Sequence, residues 1–475
     1  MKVLITHSYF LHFDKKQLEL SKPYPPLATL LAASVLRNHS LEVHFYDVSF
    51  DETVEKVKEQ INVLKPDVLL IYDDGFNYLT KMCLTNMREA AFRMLHFAKS
   101  KGIKTIISSS DSTDEYKKYL DAGADVVLLG EAEETLIELF NNRLEVNEDI
   151  KGIAFTNNNI FYNTVRRNVN TQLDQLPFPA WDLLNIKPYK KAWEKHGYFS
   201  INLSTTRGCP YKCNWCAKPI YGNRYNVRST ENVLNELKYM NRFFKFDHVW
   251  FCDDIFGLRP GWLDSFCSRI KESGINVKYK IQCRADLLQR EELIQKLAES
   301  GAEEVWIGAE SGSQKILDAM DKGITVEQIY HAVTLLKKYK IKPCLFLQFG
   351  YPGETKADIQ LTLKMLKELD PYDIGVSVSY PLPGTKFYEN VKETMKEKTN
   401  WSDSDELLLM YSGEYNPSFY KTLHRYVHKS FRAGKGQQEL KKLIMLRRGS
   451  LQKALMTAYY KPASLFLKTK INLNQ

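Results

Sequence analysis

Hydrophobic and polar residues alternate in a repeating strand and helix pattern over the first part of the 475-residue chain. Short β-branched runs are separated by segments whose apolar residues recur at helical spacing. The runs are KVLITHS, LEVHFYD, DVLLIYD, KTIISSS and ADVVLL. Strands that alternate with helices predict a doubly wound parallel sheet. No G-x-G-x-x-G segment follows the first run, so the pattern does not indicate a dinucleotide site.

The same alternation resumes at Ser200 and continues through six units. Their strand segments are INLSTTR, HVWFCDD, VKYKIQCRAD, EEVWIGAES, KPCLFLQFG and DIGVSVSYPLPG. Consecutive β/α units of this kind predict a partial or full (β/α) barrel, in which the loops after the strands carry the chemistry.

The fold class is therefore predicted to be α/β, with four parts along the chain. Residues 1–145 would form a flavodoxin-like doubly wound parallel sheet, which binds its ligand at the carboxyl ends of the strands. Residues 146–199 would form a linker with a hairpin, and residues 200–395 a partial (β/α) barrel. Residues 396–475 would form a basic, helical C-terminal region.

Composition indicates a soluble, cytoplasmic protein. Hydrophobic residues make up 44% of the chain and charged residues 26%. No apolar run approaches the roughly 18 residues that a membrane span requires. The first residues, MKVLITHSYF, lack the apolar core and cleavage site of a signal peptide. Eight cysteines in a chain of this length do not suggest a disulfide scaffold, so clustered thiols would indicate metal binding.

Positive charge is concentrated at the end of the chain. The formal net charge is +9, and from Lys421 onward there are thirteen lysines or arginines and one acidic residue, Glu439. Apolar residues lie among these charges at Leu443, Ile444, Leu446, Leu451 and Leu455. The pattern is compatible with an amphipathic helix on an anionic bilayer, but it is more typical of a packed helix with a solvated basic face. No nucleic-acid motif accompanies the charge, so we expect no nucleic-acid partner.

Three cysteines fall within the segment GCPYKCNWCAKP, at Cys209, Cys213 and Cys216. Thiolates are soft ligands of zinc and of iron-sulfur clusters. A structural zinc site needs four ligands and usually has two C-x-x-C knuckles, whereas this chain has one C-x-x-x-C-x-x-C segment. A zinc site completed by Cys252 or a histidine remains the alternative.

The spacing of these cysteines, with Trp215 before the last one and a predicted barrel strand before the loop, resembles the radical S-adenosylmethionine (SAM) enzymes. The resemblance implies a [4Fe-4S] cluster held by Cys209, Cys213 and Cys216, with one iron open to the methionine moiety of SAM. It also implies reductive cleavage of SAM to a 5′-deoxyadenosyl radical, driven by an external electron donor such as flavodoxin or ferredoxin. Trp215 is included among the predicted cofactor-binding residues.

Acidic and basic residues after the next strands extend the resemblance. Asp253 and Asp254 would accept hydrogen bonds from the methionine ammonium or from substrate; either could instead cap a helix. Arg284 would pair with the methionine carboxylate, or form a surface ion pair. Glu310 would bind the ribose hydroxyls.

A glycine- and proline-rich loop after the fifth barrel strand, FGYPGET, resembles the adenine-side loop of the family. Its residues Gly350, Gly353 and Glu354 would then bind cofactor. The alternative is a plain strand-to-helix turn capped by Thr355, and both interpretations can hold together.

The first domain, with PPLATLLAASVLRN, LLGEAEETLIEL and LPFPAWDLL, resembles the cobalamin-binding branch of these enzymes, which includes methylases and the anaerobic porphyrin-ring cyclase. Two features depart from that branch. There is no D-x-H-x-x-G motif, and residues 108–115 read SSSDSTDE where relatives usually have glycines. A degenerate domain that packs without cobalamin is the alternative.

The resemblance implies cobalamin-dependent C-methylation of an unactivated carbon in a small-molecule substrate, which could be apolar or lipid-like. A cyclase or other oxidoreductase without methyl transfer is the first alternative. A non-catalytic iron-sulfur or zinc protein is the second. Peripheral membrane contact through the basic tail would suit an apolar substrate. The sequence does not identify that substrate.

Overall fold

The computed structural model describes residues 1–216, 218, 220–445 and 450–473. Ala217, Pro219, Leu446 and the other residues between these ranges lie outside the description. Two β-sheets, each covered by helices, make up most of the molecule. The predicted α/β fold class is confirmed.

The first sheet has seven strands in the order β2-β1-β3-β4-β5-β6-β7. β1 to β5 are parallel, as predicted, and β3 is buried at every residue because helices cover both faces. The strands are β1 (Lys2–Thr6), β2 (Glu42–Phe45), β3 (Val68–Tyr72), β4 (Lys104–Ser108), β5 (Val126–Leu128), β6 (Ile153–Asn157) and β7 (Ile160–Asn163).

Eight helices accompany this sheet. They are α1 (Lys15–Leu20), α2 (Leu27–Asn38), α3 (Glu55–Leu64), α4 (Tyr78–Lys81), α5 (Thr85–Ser100), α6 (Ser110–Asp114), α7 (Tyr116–Asp121) and α8 (Glu133–Asn141). The predicted hairpin, β6 and β7, pairs antiparallel with β5 and so extends the sheet.

The segment after the hairpin is packed between the two sheets. It contains α9 (Lys187–Trp193) and two fully buried tryptophans, Trp181 and Trp193. The Trp193 indole donates to the Pro23 carbonyl at 2.8 Å, and the Trp181 indole donates to Glu236 at 3.3 Å. The aromatic residues of this segment are therefore core.

The second sheet is a curled, open half-barrel of six parallel strands in the order β15-β14-β13-β12-β11-β8. This confirms a partial barrel. Its strands are β8 (Ser200–Leu203), β11 (His248–Phe251), β12 (Lys278–Cys283), β13 (Ala302–Glu310), β14 (Lys342–Phe349) and β15 (Asp373–Val378). A small ribbon of β9 (Thr206–Arg207) and β10 (Asn226–Val227) follows β8.

Helices cover the outer face of the half-barrel. They are α10 (Thr230–Met240), α11 (Trp262–Glu272), α12 (Glu291–Glu299), α13 (Gln314–Ala319), α14 (Val326–Lys338), α15 (Lys356–Leu369) and α16 (Lys386–Val391). Because all six strands are parallel, their carboxyl ends lie at one edge, which we call the mouth.

The C-terminal region contains two long helices, α17 (Pro417–Ile444) and α18 (Leu451–Leu473), which pack against each other as a hairpin. α17 also packs on β15 and α15 of the half-barrel. Within the described ranges, no helix combines the length and apolarity required to cross a membrane.

Candidate active site at the mouth of the half-barrel

The cysteine segment forms a loop whose base is closed by the β9–β10 ribbon. Gly208 follows β9 with φ of +78°, and a Cβ at this position would lie 2.3 Å from the Arg224 carbonyl oxygen. Only glycine satisfies both the backbone conformation and this close approach. The glycine of GCPYKC is therefore required by the loop itself.

Asn214, between the second and third cysteines, anchors the loop to the half-barrel. Its backbone N–H donates to the Met320 carbonyl at 3.0 Å, and its side-chain amide donates to the Ala319 carbonyl at 2.7 Å. Its side-chain oxygen accepts from the Tyr351 hydroxyl at 2.9 Å. Sequence reasoning did not identify Asn214, although a polar residue between two ligand cysteines was the available signal.

The three cysteines are free and half-buried at the mouth. Burial raises the pKa of the Cys216 thiol to about 12, so a ligand that binds thiolate must supply the charge that stabilises it. Arg284 lies beside them, with Nη1 3.9 Å from the Cys213 sulfur and the guanidinium 3.7 Å from the centre of the Tyr211 ring. Arg284 is buried and paired with Asp286, so it is not part of a surface ion pair.

Cys252, the alternative zinc ligand, donates through its sulfur to the Leu203 carbonyl inside the sheet. Across the described part of the chain, no three His, Cys, Asp or Glu side chains converge to bind a single ion. The three loop cysteines are included among these side chains, so the preference for an iron-sulfur cluster over zinc rests on their spacing in one loop.

Glu310 lies at the mouth in a left-handed backbone conformation, with φ of +57°. A residue with a side chain is strained there, and such strain is concentrated at functional sites. The Glu310 carboxylate accepts from Lys322 Nζ at 2.7 Å, and both side chains are buried. Sequence reasoning missed Lys322, which follows a helix rather than a strand.

Lys322 connects Glu310 to the cysteine loop. Its ammonium lies 5.8 Å from the centre of the Trp215 ring. Burial lowers the pKa of Lys322, but Glu310 and Cys213 raise it more, so the ammonium stays charged. The Trp215 indole nitrogen is buried and has no hydrogen-bond partner among the described residues.

The two predicted aspartates have different surroundings. Asp253 is buried and accepts from the backbone N–H groups of Thr205 and Thr206, at 2.7 and 2.9 Å, and from the hydroxyls of Ser204 and Thr205. It therefore holds the start of the cysteine loop, and neither aspartate caps a helix. Asp254 instead pairs with Lys81 of α4 at 2.7 Å.

Lys81 belongs to the first sheet's helices, so its ion pair with Asp254 joins the two halves of the molecule at the mouth. Burial lowers the pKa of Lys81, but Asp254 and the nearby thiols of Cys216 and Cys252 raise it more. This lysine was not identified from the sequence, because no local pattern marks a contact 173 residues away.

The buried side chain of Glu354 fixes the conformation of the loop after β14. The carboxylate is fully buried, and one oxygen accepts from the Gly350 N–H at 2.6 Å. The other oxygen has no partner in the described ranges, and burial raises the pKa of Glu354 to about 8. A Cβ at Gly350 would meet Leu409 and Tyr420 at 3.2 Å, whereas Gly353 faces open space with φ of +78°. Thr355 caps α15, as the alternative interpretation expected.

A second cleft opens at the carboxyl ends of the first sheet's strands. Small and polar residues of the first sheet line it, together with two residues from the end of the cysteine loop. They are Ala28, Tyr72, Asp73, Gly75, Thr80, Ser108, Ser109, Ser110, Gly130, Ile220 and Tyr221. The Ser110 hydroxyl is buried without a partner in the described structure, as expected where a polar ligand binds.

The polar segment SSSDSTDE, at residues 108–115, forms the floor of this cleft. Ser109 and Ser112 make a capping box at the start of α6. Asp111 is buried and accepts two hydrogen bonds from Arg88, at 2.5 and 2.6 Å. The residues that replace glycine here thus build a short helix whose charge is neutralised within the first domain.

Arg207 connects the cysteine loop to the cleft of the first sheet through buried ion pairs. Its guanidinium is buried and pairs with Glu131 and, at 2.7 Å, with Glu133. It also lies beside the stacked rings of Phe76 and Tyr221. Both glutamates follow β5 of the first sheet. Removing one partner of a buried pair typically costs about 3–5 kcal/mol, so this contact fixes the cysteine loop on the edge of the first sheet.

The sequence model described as "Radical SAM superfamily" matches residues 203–366, which span the cysteine loop and four of the six barrel strands, β11 to β14. This part of the chain is a radical SAM domain. The matched radical SAM domain contains all three cysteines, both aspartates, Arg284, Glu310 and the Gly350–Glu354 loop.

Similarity extends beyond the radical SAM domain into the first sheet. An uncharacterized methyltransferase of Pyrococcus horikoshii is 28% identical over 377 residues, 77% of this chain and 78% of the relative. An anaerobic magnesium-protoporphyrin IX monomethyl ester cyclase of Cereibacter sphaeroides is 22% identical, over 83% of this chain and 64% of the relative.

The solved structure of a cobalamin-dependent SAM radical enzyme, OxsB, with aqua-cobalamin bound, aligns with 98% of this chain and 71% of its own, with a TM-score of 0.76 and 16% identity. At that identity the likeness establishes the shared fold.

The buried Glu354 predicts a pH-dependent stability. Its folded pKa of about 8 lies above the ordinary 4.5, so between these values the unfolded carboxyl loses its proton while the folded one keeps it. Stability should therefore fall with rising pH in this window, by up to about 1.4 kcal/mol per pH unit. Glu354→Gln, which stays neutral, should flatten that fall, measured as the urea midpoint against pH.

The exposed Glu368 on α15 provides the control, because Glu368→Gln should leave the pH dependence of wild type intact. An equally steep fall in Glu354→Gln would show that Glu354 is ionised in the folded protein.

Proposed function

We propose that this chain is a cobalamin-dependent radical SAM enzyme that methylates an unactivated carbon of a small-molecule substrate. The observation that carries the proposal is the contact between two candidate cofactor sites. Ile220 and Tyr221, at the end of the cysteine loop, line the cleft of the first sheet opposite Gly75 and Gly130. Groups bound at the loop and in the cleft would therefore share one space.

The cofactors fit the residues present. Cys209, Cys213 and Cys216 would hold a [4Fe-4S] cluster, and the cleft with its partnerless Ser110 hydroxyl would hold part of cobalamin. When bound, SAM and the cluster supply a 5′-deoxyadenosyl radical, and cobalamin supplies the methyl group. Similarity to a methyltransferase and to a cobalamin-dependent radical enzyme supports this assignment.

The chain's own residues would bind and orient SAM. Arg284 and Lys322 place positive charge beside Cys213, where three thiolates concentrate negative charge. The Trp215 indole N–H is available to a bound ligand. Glu310, held by Lys322 at the mouth, is our candidate for the ribose hydroxyls, and Gly350 and Gly353 shape the adenine side.

Asp253 and Glu354 would act indirectly, by holding the backbone of neighbouring loop residues in place. Asp253 positions residues 204–206 ahead of the cysteines, and Glu354 fixes the turn at Gly350. Asp254 would face the ligands together with Lys81, which reaches it from the first domain. This ion pair would hold the cluster site and the corrin site in a fixed position relative to each other.

Radical SAM enzymes act on small molecules and take an electron from an external donor. We infer that a flavodoxin or ferredoxin serves this chain. Similarity to the anaerobic cyclase over 83% of the chain favours a second candidate, a radical reaction on the same architecture without methyl transfer.

Anaerobic reconstitution tests the reaction class. Reduced protein with SAM should release 5′-deoxyadenosine, and the loss of any one of Cys209, Cys213 or Cys216 to Ala should abolish the release and most of the bound iron. Cys267→Ala is the matched control, because this buried cysteine packs in α11 away from the loop. Its iron content and product should equal those of wild type.

Two further results separate the candidates. Protein loaded with hydroxocobalamin should retain a corrin absorption band through gel filtration, and [methyl-¹³C]SAM should label the bound corrin. Retention without label favours the cyclase type of reaction, and loss of the corrin contradicts the methylase. Undiminished 5′-deoxyadenosine from Cys213→Ala contradicts both.

The helical hairpin is our candidate for contact with an anionic membrane surface. Its apolar side chains near the turn are largely exposed, including Ile444 at 72%, Met445 at 64%, Leu451 at 64% and Leu455 at 66%. Lysines and arginines surround them, with Glu439 the one acidic residue from Lys421 onward. Exposed apolar tips within a strongly basic surface are complementary to anionic lipid. Of the apolar residues noted in the sequence, Leu446 lies outside the described ranges.

Vesicle sedimentation tests this surface. Wild type should bind phosphatidylglycerol vesicles more tightly than phosphatidylcholine vesicles, and added salt should weaken the binding. The double variant Ile444→Asp/Leu455→Asp should lose most of it. Leu361→Asp, at an exposed leucine of α15, should not change it. Equal binding of all three proteins, or none, would exclude the hairpin as a membrane contact.

A further inference from the structure

On the side formed by β12, β13 and β14, the lumen face of the half-barrel is less completely buried than the outer face. Residues that face the outer helices are almost inaccessible, as at Val305 and Leu345. Their lumen-facing neighbours on the same strands remain partly accessible, as at Lys280, Trp306 and Phe346. In a closed barrel, layers of side chains fill this region. The difference leaves these side chains accessible within the half-barrel, whereas Asn202 and Trp250 on the opposite side of the lumen are buried beneath Pro25 and Tyr24.

One wall of this lumen is a flat aromatic surface. The rings of Trp306 on β13 and Phe346 on β14 stack with their centres 4.7 Å apart and their planes within 29°. Gly375 on β15 makes room for them, since a Cβ there would lie 2.8 Å from Phe346. Partly exposed aromatic faces inside a cavity bind apolar groups.

Deeper in the lumen lies the ammonium group of Lys280, which has no hydrogen bond or ion pair among the described residues. It lies beside two rings that pack against each other, 5.1 Å from the centre of Tyr24 and 5.0 Å from that of Trp250. Cation–π contacts of this kind stabilise a charge less than full hydration does.

The charges around Lys280 do not neutralise it by contact. Glu304 is its register partner on β13, and Asp373 begins β15, yet neither lies within ion-pairing distance. Lys22 faces the same region, and Lys342 is already paired with Glu303. Burial lowers the pKa of both Lys280 and Lys22, as expected for cations without a nearby oxygen partner.

The position of Lys280 sets the length of whatever binds. Lys280 precedes Arg284 by four residues on one strand, or about 13 Å at 3.3 Å per residue. Arg284 contacts Cys213 at the mouth, where the proposed radical forms. A molecule that reaches both levels must be elongated, with its polar group far from the reacting carbon.

We propose that the lumen binds an elongated apolar substrate whose body lies against Trp306 and Phe346 and whose carboxylate or phosphate group pairs with Lys280. This inference rests on the proposed function for the reaction and adds the substrate class. The anionic group would fix how deeply the molecule inserts, and so which carbon lies at the mouth.

Calorimetry on the reconstituted protein with octanoate, octyl phosphate, octanol and octylamine as probes tests the anion site without turnover. Wild type should bind octanoate or octyl phosphate about 10- to 100-fold more tightly than octanol, because a charge-assisted contact contributes about 1.5–3 kcal/mol. The tighter of the two anions identifies the group that the site prefers. Lys280→Met should lose the preference for anions and still bind octanol.

Lys271→Met is the matched control, because this exposed lysine lies on α11 outside the lumen and pairs with Glu299. It should keep the wild-type preference. Lys280→Gln serves as a second variant if Lys280→Met does not fold, as judged by circular dichroism.

Wild type without a preference for anions, the same preference in both Lys280 variants, or no binding of either anion would overturn the inference. Release of 5′-deoxyadenosine in the absence of substrate is measured in parallel. If no 5′-deoxyadenosine is released, the result counts against the proposed reaction, and the binding measurements still test the anion site.

Discussion

The buried contact of Arg207 with Glu131 and Glu133 determines how the two halves of this molecule meet. The arginine immediately precedes the cysteine loop, and the glutamates follow a central strand of the first sheet. The aromatic rings of Phe76 and Tyr221 lie beside the Arg207 guanidinium. A buried ion pair is costly to break, so the loop that would carry the cluster cannot move independently of the cleft that would carry the corrin. The second charge contact, between Lys81 and Asp254, lies at the same edge.

Much of this arrangement follows from sequence pattern. The hydrophobic alternation predicted both parallel sheets, and residues after consecutive strands were expected to converge because parallel strands end at one edge. The pattern could not show how each side chain would be used. Asp253 accepts hydrogen bonds from Thr205 and Thr206 ahead of the cysteines, and Glu354 accepts one from the Gly350 backbone. Lys81, Lys322 and Asn214 act through contacts distant in sequence, which no local periodicity records.

The half-barrel also changes in character with depth. At the mouth, Arg284 and Lys322 supply charge beside the cysteines; in the middle, Trp306 and Phe346 present apolar faces; lower down, Lys280 presents an unmatched cation. Such a gradient suits a molecule that enters by one end in a fixed orientation. The basic hairpin with exposed apolar residues would fit the delivery of an apolar substrate from a lipid surface.

The most direct test of the account is the magnetic interaction between the two proposed metal sites. Protein reconstituted with the cluster and cob(II)alamin should give a corrin electron paramagnetic resonance signal that broadens and relaxes faster when the cluster is reduced. Cys213→Ala, loaded with the same corrin, should show no such change. A corrin signal that is identical with oxidised and reduced cluster would contradict the claim that both cofactors share one chamber.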